Sequence, residues 1–238
     1  MNNIILEHIT HKYQQKEILS DFSFRFEGVK TTCIIGPSGC GKTTILRLVA
    51  GLEIPSAGFV SIGDRRMSGD GIIEVPPHKR GVGFVFQDLA LWPHFTVREN
   101  IALGLKAKKE KNFESRITEL LALFQIGDKI NKYPHQLSGG QKQLVAIARS
   151  VILKPDILLL DEPLANIDTH IKQNILKLLK ELQTQQNFTM LYVTHDHREA
   201  IKAADTILVL NNGKIVVSGT KDEILNSTDI FVQSFLET

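Results

Sequence analysis

The sequence predicts an α/β fold: a mainly parallel sheet wrapped by helices, an antiparallel β subdomain at the N-terminus and an inserted α-helical subdomain. Three observations point there. Apolar runs of strand length without alternation, ILLLD from 157 and MLYVTH from 190, suit central parallel strands covered on both faces. IILEHIT from 4 and FSFRFE from 22 alternate apolar and polar positions, with Phe22, Phe24 and Phe26 on one face, as half-buried antiparallel strands do. The stretch 88–154 carries helical periodicity and no convincing strand, and is too long for a structureless connection.

Taken in order, the β-branched run TTCII at 31–35 precedes GPSGCGKT at 36–43 and then TILRLVAGL, so the glycines fall where a buried strand turns into a helix. FVSIG from 59 and VGFVFQ from 82 read as further core-sheet strands. Within the insertion, Ile117, Leu120, Leu121 and Phe124 stand at helical spacing. Ile171, Ile175, Leu178, Leu179 and Leu182 do the same further on, and both sets read as core faces. Near the C-terminus TILVL, Asn211, Asn212, Gly213 and KIVVSG spell a hairpin whose turn requires positive φ. One domain spanning 1–238 is expected, with its core in 1–87 and 155–238 and its helical insertion in 88–154.

The 238 residues suffice for a full core, and 28 basic against 26 acidic side chains leave +2, which gives no compositional support to an extended nucleic-acid stripe. No apolar run reaches the ~18 residues of a membrane span, and MNNIILEHIT lacks the basic start of a signal peptide. A soluble, cytoplasmic chain is expected. Cys33 and Cys40, on a buried strand and in a loop, do not form a disulfide framework.

GPSGCGKT fits the pattern of Gly, four free positions, Gly, Lys and Ser/Thr without mismatch, which marks a P-loop NTPase core. Gly36, Pro37, Ser38, Gly39, Cys40 and Gly41 would wrap backbone amides around a triphosphate, with Thr44 opening the helix behind them. Lys42 would reach the outer phosphates and Thr43 would offer its hydroxyl to Mg²⁺. ILLLDE ends in two carboxylates that point different ways: Asp161 would hold Mg²⁺ through water and Glu162 would polarise the attacking water. In LSGGQ, Ser138 and Gln141 form a capping box for the helix LVAIARSVI. Gly139 and Gly140 weaken its first turn by roughly 1 kcal/mol each, which is explained if an anion approaches the backbone there.

These motifs, with Gln87 closing VGFVFQ, ANID at 165–168 and VTHD at 193–196, resemble the nucleotide-binding subunit of an ATP-binding cassette transporter of importer type over essentially the whole chain. The resemblance implies ATP and Mg²⁺ as cofactors, and Glu162, His195, Gln87 and Lys42 as the catalytic set. It implies that Tyr13 stacks on adenine, that Gln87 links Mg²⁺ and the attacking water to the membrane partner, that His195 contacts the γ-phosphate, and that Asp168 signals between sites. Two copies, a homodimer or heterodimer, would face each other head to tail, Ser138, Gly139, Gly140, Gln141 and Asp168 completing the partner's site in trans. The implied partners are transmembrane permease subunits and an external solute-binding protein, with the chain peripheral on the inner face of the membrane and no nucleic acid bound. A cassette ATPase of DNA repair or translation is the alternative, but no heptads and no second cassette are present. Zinc at His195 and His197 lacks a third ligand at a helpful spacing.

The sequence departs from the family pattern at Lys142 and Leu144, where relatives often carry Gln or Arg and an arginine. Trp92 replaces a common Phe in a segment resembling the subfamily that serves oxyanions, ferric iron, polyamines and sugars. Several of those carry a C-terminal regulatory domain; with SFLET following the cassette closely, none is expected here. Gln87 to Asn100, with Leu89, Leu91, Trp92 and Phe95, is the expected coupling surface to the permease.

Overall fold

The structure, a computed structural model, describes residues 3–165 and 167–236; Asn166 of the ANID segment lies outside them. The chain runs through β1 (Ile4–Tyr13), β2 (Lys16–Phe26), β3 (Thr31–Ile35), α1 (Lys42–Ala50), β4 (Ala57–Ile62), β5 (Arg65–Gly69), β6 (Ile72–Ile73) and β7 (Val82–Val85). The helices α2 (Val97–Ala107), α3 (Glu114–Leu123) and α4 (Gly139–Val151) follow. Then come β8 (Ile157–Asp161), α5 (Thr169–Gln186), β9 (Thr189–Val193), α6 (His197–Ala203), β10 (Thr206–Asn211), β11 (Lys214–Gly219), α7 (Lys221–Leu225) and α8 (Ile230–Leu236).

A six-stranded sheet has the order β11-β10-β3-β9-β8-β7, parallel throughout except for the β10–β11 hairpin. Its central strands bury both faces. Cys33, Ile35, Leu158, Leu160, Met190 and Tyr192 join the helical core on one side, while Ile34, Ile157, Leu159, Leu191 and Val193 join a second core on the other. Asn212 at φ 47° and Gly213 at φ 75° turn the hairpin, as the expected turn chemistry requires.

The second core lies between this sheet, α1 and an antiparallel five-stranded sheet of order β2-β1-β4-β5-β6. FVSIG belongs here, not to the parallel core as its composition suggested: β4 pairs antiparallel with β1, Ile4 opposite Ile62 and Leu6 opposite Val60. Only Val60 and Ile62 of that strand are buried, so the alternation of a one-faced strand outweighed the apolar run. β1 also extends further than IILEHIT, with a register shift between Leu6 and Ile9 where His8 adopts φ 51°.

In α3, Ile117, Leu120 and Leu121 are buried as the spacing requires, with Phe124 at the helix end. In α5, Ile175, Leu179 and Leu182 are buried, but Ile171 is 42% exposed and lies against Gly140 instead of in the core. The parallel pairing brings the C-terminal ends of β3, β7, β8 and β9 to one edge, the edge at which open α/β sheets bind ligands.

Candidate functional site

The loop 36–41 leaves β3 at this edge. Gly36 is required by contact: at φ 149°, a Cβ there would lie 2.2 Å from the Leu210 carbonyl oxygen of the neighbouring strand. Gly41, at φ 108°, is the N-cap of α1 and provides no side-chain cap; no acidic residue stands in the first turn. The helix therefore presents unsatisfied amides and an uncompensated positive end, which is what an anion seeks. Gly39 is open, with no heavy atom within 4 Å of where a Cβ would sit, so the cradle has room for a phosphate chain.

Lys42 is 6% exposed, and its Nζ donates to the Gly36 and Pro37 carbonyls at 2.8 and 2.9 Å. The ammonium holds the loop curled while facing the hollow. Cys40 Sγ lies 4.0 Å from the same Nζ, and burial pushes its thiol pKa up. Thr43 Oγ1 donates to Asp161 Oδ1 at 3.0 Å. Asp161 ends β8 at 4% exposure; burial raises its pKa, and the neighbouring Glu162 adds to the shift while the Thr43 hydrogen bond opposes it. A hydroxyl and a carboxylate are hard oxygen donors, and their place beside the phosphate cradle suits Mg²⁺, which binds through few protein ligands together with substrate phosphates.

Glu162 follows Asp161 but turns away from it. Its backbone takes φ 45°, a left-handed conformation uncommon outside glycine, while its N–H still bonds to the Val193 carbonyl at 3.0 Å. This aims the carboxylate at the end of β9, where His195 Nδ1 lies 3.2 Å from Glu162 Oε2. Glu162, His195 and Gln87 share one hollow of about 640 Å³ with Tyr13, Ser38, Gly39, Gly41, Lys42, Thr43 and Thr44. Tyr13 ends β1 at the far side, its hydroxyl donating to Glu53 Oε1 at 3.3 Å and its ring edge-on to His11 at 5.0 Å. Gly36, Pro37 and Cys40 shape the loop from behind.

Five of the expected site residues are elsewhere. Ser138 and Gln141 make the expected capping box at the start of α4, with Ser138 Oγ accepting from Gln141 N at 3.3 Å and Gln141 Oε1 accepting from Ser138 N at 3.0 Å. Ser138 and Gly139 are exposed. Ser138, Gly140 and Gln141 line a separate hollow of about 570 Å³ with Leu144, Ile171 and Ile175. Asp168 lies before α5, its carbonyl accepting from Lys172 N at 2.9 Å.

Residues 19–165 match the family described as ABC transporter. The chain belongs to the ABC transporter family. It is 41% identical to the spermidine/putrescine import ATP-binding protein PotA of Thermotoga maritima over 98% of this chain and 63% of that protein. It is equally identical to the Fe(3+) ions import ATP-binding protein FbpC 1 of Pectobacterium atrosepticum, over 97% of this chain and 65% of that one. The sulfate/thiosulfate import ATP-binding protein CysA 2 of Agrobacterium fabrum is 40% identical, covering 98% and 68%. The chain thus spans somewhat under two thirds of the length of the first of these curated relatives. A nucleotide-free ATP-binding cassette from an ABC transporter, solved as a crystal structure, superposes with TM-score 0.86 at 24% identity, covering 99% of this chain and 98% of that one; it supports the fold.

Arg149 went unnoticed in the sequence. From α4 its guanidinium donates to the Leu89 and Ala90 carbonyls at 2.8 and 2.5 Å, holding two successive residues at φ 61° and 44° just after Gln87. Burial lowers its pKa. No local pattern announces a contact across 59 positions.

Proposed function

We propose that the chain is the ATP-hydrolysing subunit of a transport system, working through a separate transmembrane permease supplied by an external binding protein. The observation that carries this reading is the single hollow in which Lys42, Thr43, Glu162, His195 and Gln87 converge above buried Asp161. Relatives named as import ATP-binding proteins favour import, and no helix among the described residues is long and apolar enough to cross a membrane, which leaves the spanning to a partner. The subunit would sit on the inner face of the membrane, with Gln87 to Asn100 as its coupling segment.

Lys42 and the α1 amides bind and neutralise the phosphates, and Tyr13 offers its ring to the base. Mg²⁺ held by Thr43 and, through water, by Asp161 would neutralise charge on the phosphate oxygens. Glu162 orients and polarises the attacking water. The imidazole of His195 bonds to Glu162 through Nδ1, leaving Nε2 for the γ-phosphate. The helix end at Ser138, Gly139 and Gly140, with Gln141 and Asp168, completes the site of a second copy.

Glu162→Gln tests the assignment. ATP affinity by calorimetry should stay within about twofold while hydrolysis falls by about 10³, because the carboxylate acts on water and not on ground-state binding. An ATP-trapped dimer should then elute in size-exclusion chromatography. Hydrolysis at the parental rate removes Glu162 from its role.

A further inference from the structure

Beneath the loop that carries His195 lies a partly buried ionic cluster, centred on the buried Glu199, that the chemistry above does not use. Glu199, in α6, is 6% exposed, and each of its carboxylate oxygens is engaged. Oε2 accepts from Tyr192 Oη at 2.7 Å and Thr194 Oγ1 at 2.9 Å; Oε1 accepts from Lys172 Nζ at 2.7 Å. Thr194 Oγ1 in turn accepts from Asp196 N at 3.1 Å, and Asp196 Oδ2 stands 3.8 Å from Lys172 Nζ. The residues on both sides of His195 are therefore anchored to Glu199.

Lys172 reaches this cluster from α5, one helical turn after Asp168, whose carbonyl its N–H holds. The pair thus spans two separate segments, the loop of His195 and the first turn of the helix that begins beyond Asp168. Burying a carboxylate and an ammonium is costly unless both are well solvated by partners, and apolar replacements of such pairs are often neutral for stability. Stability alone does not account for a cation placed across this junction.

We propose that Lys172 and Glu199 are a positioning pair that ties the Asp168 segment to the placement of His195, so that a shift of the first turn of α5 is transmitted to the γ-phosphate end of the site. The inference rests on the roles given above to His195 and Asp168. Movement of α5 pulls Nζ, the carboxylate follows, and Thr194 and Asp196 turn His195 with them. Two copies meeting at their Asp168 segments would sense each other's state along this route.

The test uses the full chain with Lys172→Met and Glu199→Gln combined, which removes both charges at similar volume, and Lys172→Arg as the conservative variant. Melting temperature, ATP affinity by calorimetry, and steady-state kcat and KM are measured for each. The double variant should keep its melting temperature, affinity and KM near parental values while kcat falls about tenfold, and Lys172→Arg should retain most of the parental kcat. Parental kcat in the double variant overturns the proposal, as does a joint loss of melting temperature, affinity and kcat, which would make the pair purely structural. Should the double variant fail to fold, Lys172→Gln, altered at the edge of α5, is held to the same outcomes. His195→Ala is run alongside: if it hydrolyses at the parental rate, the reading of the site fails and takes the linkage with it. If it is inactive while the double variant is unaffected, the linkage alone fails.

Discussion

Two helix N-termini in this molecule carry glycine-rich motifs, and they are built differently. α1 begins without a side-chain cap, inside a hollow already furnished with a cation, a carboxylate and a histidine. α4 is capped by its own Ser138 and Gln141 and begins in solvent, beside a hollow that Gly140 shares with Lys177 and Glu181 of α5. The first end gathers a cation and free amides around its hollow; the second offers exposed amides, a positive end and open space at Gly139. On the reading proposed above, one chain would build an incomplete site and a surface that completes another.

Breaking the second region should silence turnover without touching the α1 cradle. Ser138→Arg places a bulky cation at the exposed helix end, and hydrolysis should fall by about 10² or more while ATP affinity of the dilute chain stays unchanged, since the α1 cradle is untouched. Phosphate release and calorimetry read the two quantities; weakened binding would mean that α4 contributes to its own chain's site. Lys42→Ala sharpens the other side. It removes a buried cation and should weaken ATP binding by about 30-fold, the loss of a charged hydrogen-bond partner. Unchanged affinity in the same titration would take the loop out of its role.

Much of the first region was legible because it is local. GPSGCGKT, ILLLDE and the Asn212–Gly213 turn each write their geometry in consecutive residues, and the LSGGQ cap spans only four. FVSIG misled because a short apolar run has the same look in a two-faced parallel strand and a one-faced antiparallel strand; its partner, β1, lies far away in sequence. RRMSG in β5 passed unnoticed for lack of apolar alternation. Arg149 on the Leu89 and Ala90 carbonyls and Lys172 on Glu199 were invisible for another reason: each bridges separate elements, and nothing in the neighbourhood of either residue names its partner.

Smaller effects probe the seams between the regions. Asp161 has a raised pKa from burial, so the folded chain binds a proton more tightly than the unfolded one, and its contribution to stability declines as pH rises from the usual aspartate range through the raised value. Asp161→Asn keeps an acceptor for Thr43 and should raise the melting temperature of the nucleotide-free chain at neutral pH by a few degrees, about 1 kcal/mol, while impairing hydrolysis. A lowered melting temperature would show that the charge is stabilised by its surroundings. Trp92, 48% exposed in the loop before α2, should matter least to the fold. Its backbone is held by Asn100, whose Oδ1 accepts from Trp92 N at 2.9 Å, so Trp92→Ala should shift stability by under about 1 kcal/mol and leave basal hydrolysis intact, yet abolish co-purification with the permease. Retained co-purification would move the coupling surface elsewhere.

The most direct test of a site shared between copies is to mix two inactive chains. Glu162→Gln damages the hollow and spares α4; Ser138→Arg does the reverse. In a head-to-tail pair of the two, one site combines both lesions and the other combines none. Equal mixing should therefore restore hydrolysis to about a quarter of the parental rate, since half of randomly formed dimers carry one intact site of two. No recovery from the mixture, with both variants folded and each binding ATP, would contradict the account.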